Sequence, residues 1–342
     1  MKKILILTAF LCLIYGTALS QSYVTDVSKV GTTSAQFLKI AVGSRAVGMG
    51  NAFVAVADDA TAIYWNPAGL ARLPQKEMSL THTEWLADIH FDFGSLIIPM
   101  GEFGTIGASL TALTMPEMEV RTILEPEGTG EMFGASDLAL CLSYAKNLTD
   151  RFSIGFNGKY IRQRIWHMSA FGFALDIGTL FTTRFNDMKI GMSISNFGNK
   201  LRFEGKDNLV YHDIDPVKYG NNDKINAHLE MGRWSLPLLF RVGVAMDLIH
   251  SNSQRLTVAI DAVHPNDNTE NLNLGTEYIF NHLLSFRLGY ASLFTRDSEE
   301  GLTLGIGLQH ELLGTSILTI DYSYADFGRL QNAQRFSLGI KF

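Results

Sequence analysis

The residues best suited to chemistry in this 342-residue chain crowd into one stretch, 37–73, FLKIAVGSRAVGMGNAFVAVADDATAIYWNPAGLARL. Asp58 and Asp59 are adjacent carboxylates, the material of a metal site or a general acid–base pair. No nucleophile or histidine accompanies them, so catalysis is not expected. Arg45 and Arg72 share the stretch, which predicts charge-assisted pairing or helix capping for the two carboxylates. Gly43, Gly48 and Gly50 permit close backbone approach and positive φ. The Lys-then-Ser/Thr of a phosphate-binding loop is missing, which excludes a nucleotide site there. Asn66-Pro67, followed by Gly69, marks a turn.

Other chemically capable groups are scattered. Asp213 with Asp215, and Asp267 between Asn266 and Asn268, lack the spacing of a complete calcium loop and read as solvated external loops. His82, His90, His167 and His264 fall near strand ends. No Cys/His cluster offers a zinc site and no Ser/His/Asp spacing favours a hydrolase. The sequence therefore predicts no catalytic residue, no metal and no cofactor. Formal net charge is −6, or −8 once Lys2 and Lys3 are removed. An acidic chain gives no reason to expect nucleic acid as a partner.

The chain start sets the compartment. Lys2 and Lys3, the apolar run from Ile4 to Tyr15 and the small residues Ala18-Leu19-Ser20 read as a signal peptide over 1–20, with the mature chain beginning near Gln21. Cys12 leaves with it, so Cys141 is alone and forms no internal disulfide. After residue 20 no apolar run is long enough for a spanning helix, although 46% of the chain is hydrophobic.

What must position the 37–73 stretch is a long series of alternating strands. Phe336, Leu338, Ile340 and Phe342 share one face at the C-terminus, while Arg335, Ser337, Gly339 and Lys341 share the other. The same period of two recurs in Phe152–Tyr160, Leu272–Tyr278, Leu284–Tyr290 and Leu302–Leu308. A soluble β-sandwich also alternates, but here the polar face is rich in Gly, Ser, Asn and charge, as a lumen would be. The fold class is therefore all-β, a transmembrane antiparallel β-barrel of about 14 strands. Their spans are 77–86, 91–100, 103–113, 135–147, 151–164, 169–183, 187–197, 234–248, 254–264, 270–280, 283–294, 301–311, 315–325 and 333–342. Residues 21–76 then form an N-terminal segment and hatch inside the lumen, and 77–342 the barrel.

The connections test that count. One set is short throughout: Gly101–Glu102, Leu148–Asp150, Arg184–Asn186, Ile249–Ser253, Asn281–His282 and Glu311–Gly314. The other set contains the long loops 114–134 and 198–233, with Thr295–Glu300 and Pro265–Thr269. Short and long sort onto opposite sides, periplasmic and extracellular. Trp85, Trp166 and Trp234 fall at extracellular strand ends and are expected in an interfacial aromatic girdle. Met115, Met118 and Met132 in the first long loop can form an adaptable apolar mouth, and Tyr211 lies mid-way along the second.

The ordered set Phe37-Leu38, Arg45-Ala46, Gly48-Met49-Gly50, Ala57-Asp58-Asp59-Ala60 and Trp65-Asn66-Pro67-Ala68-Gly69-Leu70 resembles the N-terminal signature of the PorV/PorQ family, related to FadL-type transporters. Phe342 is similar to the C-terminal barrel-assembly signal of outer-membrane proteins. The chain differs from PorV itself in being shorter and in carrying Asp58-Asp59-Ala60. The resemblance implies a FadL-like barrel with a hatch, in the outer membrane of a Gram-negative-type bacterium and in contact with its lipid. It also implies either of two roles. One is a type IX secretion component whose loops bind secreted substrates or secretion-system proteins. The other is a transporter of a hydrophobic small molecule, whose hatch moves.

Overall fold

A computed structural model describes residues 29–215, 217–218, 224–295, 298–312 and 316–342. The predicted signal peptide with Cys12, residues 21–28, Gly314 of one predicted turn and the predicted strand start at 315 lie outside the described residues.

Fourteen antiparallel strands close into a barrel. They are β1 (Glu77–Glu84), β2 (His90–Pro99), β3 (Thr105–Thr114), β4 (Ala135–Thr149), β5 (Phe152–Ile165), β6 (Met168–Thr182) and β7 (Lys189–Gly198). The second half contains β8 (Leu239–His250), β9 (Gln254–Pro265), β10 (Asn271–Phe280), β11 (Leu284–Leu293), β12 (Leu302–Glu311), β13 (Ile317–Asp326) and β14 (Asn332–Lys341). Each pairs with its neighbours in sequence, and β1 against β14 shuts the ring, from Glu77 opposite Lys341 to Glu84 opposite Gln334. Closure leaves no unpaired sheet edge, the condition for strands in hydrocarbon.

The period of two decides which face each residue takes. Leu80, Leu96, Leu110, Phe173, Leu288 and Phe336 point outward and are exposed, a continuous apolar band for lipid. Ser79, Thr81, Asn157, Asp261, Glu277 and Arg335 point inward and are buried. The inward polar side chains are covered by protein, because residues 35–73 occupy the lumen and are mostly buried. This plug contains two short helices, α1 (Ser44–Gly48) and α2 (Ala62–Trp65), flanked by 3-10 turns at Gln36–Lys39 and Pro67–Arg72.

Local chemistry sets the turns at one rim. Asn281 and His282 both have positive φ, 52° and 54°, and Leu283 N–H bonds Phe280 O at 3.0 Å, as in a two-residue hairpin of the primed kind. The opposite rim carries the long connections. Residues 115–134 fold back through pairing of Met118–Glu119 with Met132–Phe133. Residues 199–238 include a ribbon of Leu209–His212 against Ile225–His228.

Two sequence expectations are corrected. The eighth strand begins at Leu239 rather than 234, because Pro237 lacks the N–H a ladder needs. Trp234 instead exchanges backbone bonds with Leu201 at 2.8 and 2.9 Å, outside the barrel ladder. Trp85 is not in a lipid-facing girdle. Its ring packs on Phe327, 5.2 Å between centroids, and under the Arg335 guanidinium, also 5.2 Å, inside the barrel mouth. Period two from Thr81 and Thr83 already turns residue 85 inward.

The plug rests directly on wall backbone at glycines. A β-carbon on Gly289 would land on the Gly50 amide, and one on Gly275 would meet the Met49 carbonyl. Gly50 itself has φ of 62° and no room for a side chain between β10 and β11. We predict that Gly289→Val costs about 1–3 kcal/mol by overpacking. The measurement is protease cleavage within 43–52, which should accelerate while the heat-modifiable migration of the barrel persists.

Candidate functional site

The plug is held by three sets of contacts. Arg45 is the hub of the first, beside a cavity that reaches the short-turn residues His250 and His282. Its Nε and Nη2 donate to the two oxygens of Glu277 at 2.8 and 2.7 Å, and its Nη1 donates to Asp58 and Asp59 at 2.6 and 3.1 Å. Glu277, on β10, is fully buried and also accepts from Arg287 Nε at 2.8 Å. Arg287 passes the chain on to Asp321 of β13 at 2.6 Å. A bidentate arginine–carboxylate pair is directional as well as strong, so this network sets the orientation of α1. Within the acidic pair Asp59 also accepts from Thr61 N–H at 2.9 Å, ahead of α2.

Asn66 and Pro67 turn the plug against β5 and β6. Asn66 Nδ2 donates to Val54 O and Thr179 O, both at 2.9 Å, and its Oδ1 accepts from Ala68 N–H at 3.2 Å. Gly155 and Gly178 leave the space Pro67 and Asn66 occupy. Gly69 is likewise required, since a β-carbon there would strike Ala57 O. Arg72 ties the end of the plug to the short-turn rim through Ser153 Oγ at 2.9 Å and the carbonyls of Arg151 and Leu180, both at 3.0 Å.

At the long-loop rim Asp267 is the anchor. It accepts from Thr33 Oγ1 at 2.6 Å, Gln36 Nε2 at 2.7 Å and Lys39 Nζ at 2.9 Å. Burial alone would raise this carboxyl. Hydrogen bonds from Gln36, Thr33 and Lys39, with the Lys39 charge, hold it below its ordinary 3.8. Asp267 thus serves the plug and is buried, where the sequence read it as part of a solvated external loop. Among the described residues no group of three or more His, Cys, Asp or Glu could hold a metal ion.

Sequence reasoning missed several partners: Glu277, Arg287, Asp261 and Arg335. Asp261 Oδ2 accepts from the Phe53 and Val54 amides at 2.7 and 2.8 Å. Inward parity of charged residues on strands was the available signal.

Two cavities flank α1. Ser44, Arg45, Asp58, Glu277 and Arg287 line a polar one of 440 Å³. Phe37, Ile40, Val47, Trp85 and Phe327 line an apolar chamber of 370 Å³ toward the long-loop rim. Arg335 also borders the chamber, and its Nε and Nη1 have no hydrogen-bond partner. Outside, Met118, Met132 and Tyr211 are 54%, 48% and 73% exposed on the two loop ribbons, and Met115 is half-buried at the base of the first. Trp166 stacks on His167, 4.3 Å between centroids, at the β5–β6 turn, and Trp234 is half exposed. Phe342 ends the chain beyond β14, outward-facing, with Lys76 Nζ 6.0 Å from its ring centroid.

A family model described as "Type IX secretion system protein PorV" matches residues 23–264. No curated protein matches the chain in sequence. Three solved structures of outer-membrane proteins are similar in fold. A Pseudomonas aeruginosa FadL homologue is 12% identical, with TM-score 0.54, covering 88% of this chain and 98% of its own. The Ralstonia pickettii toluene transporter TbuX and the Pseudomonas putida toluene transporter TodX give the same identity and TM-score, with 88% of this chain and 97% of theirs covered. The shared fold is that of an outer-membrane barrel of Gram-negative-type bacteria.

Two predictions follow the anchors. Arg45→Met leaves Asp59 without its cation and Asp58 with only Lys189, 4.0 Å away, a loss of about 3–5 kcal/mol. In planar bilayers the parent should be silent and Arg45→Met should pass ion current; equal silence would mean the plug does not depend on Arg45. A carboxylate held below its ordinary value stabilises the seated state above pH 3.8 and loses that contribution as pH falls through its lowered native value. Pepsin cleavage within residues 30–40 should therefore quicken as pH falls below 3.8, and Asp267→Asn should abolish that dependence.

Proposed function

This chain belongs to the PorV family, and on that premise we propose that it is a non-enzymatic outer-membrane component of type IX-type protein secretion. In this reading its external loops bind a secreted substrate or a translocon. The observation that carries it is the seal of the lumen. Buried ion pairs at Arg45, amide bonds to Asp261 and backbone contact at wall glycines hold the plug at every level. A barrel closed this firmly has its recognition surface outside, where the two longest connections lie.

The apolar chamber favours a second reading, a transporter of hydrophobic small molecules whose plug shifts. Trp85, Phe327 and Phe37 would hold the apolar body of a ligand, and the unpartnered nitrogens of Arg335 an anionic end. The two readings diverge in a deletion strain. We expect proteins of the secretion system to accumulate in the periplasm while uptake of a labelled fatty acid or aromatic is unchanged. Normal secretion with uptake slowed several-fold would replace the first reading by the second.

A further inference from the structure

The lipid-facing wall is hollow beneath a basic edge on β5. Across β3 to β7 the ladder sets Ala108, Leu142, Gly158, Leu175 and Phe197 in one outward row. Gly158 is the gap in that row, since a β-carbon there would meet nothing within 4 Å. Leu142, Leu175 and Phe197 stand out around it, 72%, 57% and 66% exposed. Tyr160 and Phe173 bound the hollow toward the long-loop rim, with ring centroids 5.6 Å apart. The groove measures 930 Å³. That is near the top of the range of about 300–1,000 Å³ in which small ligands are held.

Arg162 and Arg164 continue the outward face of β5 beyond Tyr160, and both are exposed. Leu138 and Phe171 flank Arg162 across the ladder. Among the described residues no carboxylate pairs with it. Arg164 Nε donates to the Trp166 carbonyl at 3.2 Å, and Glu204, opposite Ser169, is spent on Arg202. The other strand arginines, Arg241, Arg255, Arg287 and Arg335, line the lumen. A second outward hollow, of 500 Å³ around Gly94, lies below His82 and Asp92, which bond each other at 2.7 Å and need no further partner.

Height identifies what meets the arginines. β5 starts at Phe152 on the short-turn rim. A strand tilted about 40° climbs about 25 Å between Phe152 and Arg162, the height of an apolar band. Arg162 therefore stands at headgroup level on the long-loop side, with the groove beneath it in hydrocarbon. A guanidinium without a counter-charge is costly there, and its fork matches a phosphate in two parallel bonds.

We propose that this face of β4–β7 is a lipid site. A phosphorylated glycolipid of the outer leaflet lays acyl chains in the groove around Gly158 and sets phosphate on Arg162 and Arg164. The breadth of the groove and the two guanidinium groups favour a multiply acylated, multiply phosphorylated lipid over a phospholipid. The site needs only the barrel's place in the membrane and stands under either reading of function.

The test is native mass spectrometry of the protein in detergent micelles, with diphosphorylated lipid A as the probe. The parent should retain the probe, and phosphatidylglycerol at least tenfold less. Arg162→Gln with Arg164→Gln should lower the bound fraction tenfold or more, and Gly158→Leu, which fills the hollow, several-fold. Removing one phosphate from the probe should weaken retention by the parent and leave the arginine variant unchanged. Barrel migration on gels should be that of the parent, because both arginines are exposed. Retention undiminished in the arginine variant, or phosphatidylglycerol held as well as the probe, would overturn the glycolipid site. Undiminished retention by a folded Gly158→Leu would overturn the groove as its seat.

Discussion

The constraint beneath this structure is that strands in hydrocarbon must leave no backbone group unpaired. The β1–β14 ladder meets it by closing the ring along the whole of β1. Closure has a second consequence: the inward face becomes a private space whose polar side chains need partners. The plug supplies them. Asp261 binds plug amides, Asn157 binds the Ile63 carbonyl, and Glu277 binds Arg45. The barrel and its contents are therefore one hydrogen-bonded object, and neither half satisfies its polar groups alone.

Plug and wall meet in two physical modes. Ion pairs around Arg45 are directional and fix orientation, but desolvating several charges gains little net stability. Glycine contacts are the complement. At Gly275, Gly289 and Gly305 the wall has no side chains, and the backbone of Gly48–Gly50 lies against it. Dense backbone packing supplies dispersion at these contacts. Together these modes explain why the lumen is filled yet keeps small cavities between plug and wall.

Much of the barrel was legible because one face is lipid and the other is not, so period two must hold along every strand. Strand spans read from alternation agree with the ladder to within a few residues, except at Trp234, where a proline three residues on from the expected start mattered more than the aromatic pattern. Trp85 shows a different limit. Its place at a strand end fits a girdle, and only its inward parity sends it over Arg335. The wall glycines were visible as part of a polar face, but their purpose was not. A glycine facing a wet lumen and one facing a plug backbone look alike in a string of letters.

The sequence by itself determined the number of strands and the sorting of short and long connections onto opposite rims. These follow from local patterns: period two and turn residues. Only the tertiary structure decided which wall residues meet the plug, because Arg45 and Glu277 are 232 residues apart and join only when the ring closes. It also decided that Asp58 and Asp59 are spent on that arginine. Contacts of that range depend on where closure brings distant strands, which no local pattern encodes.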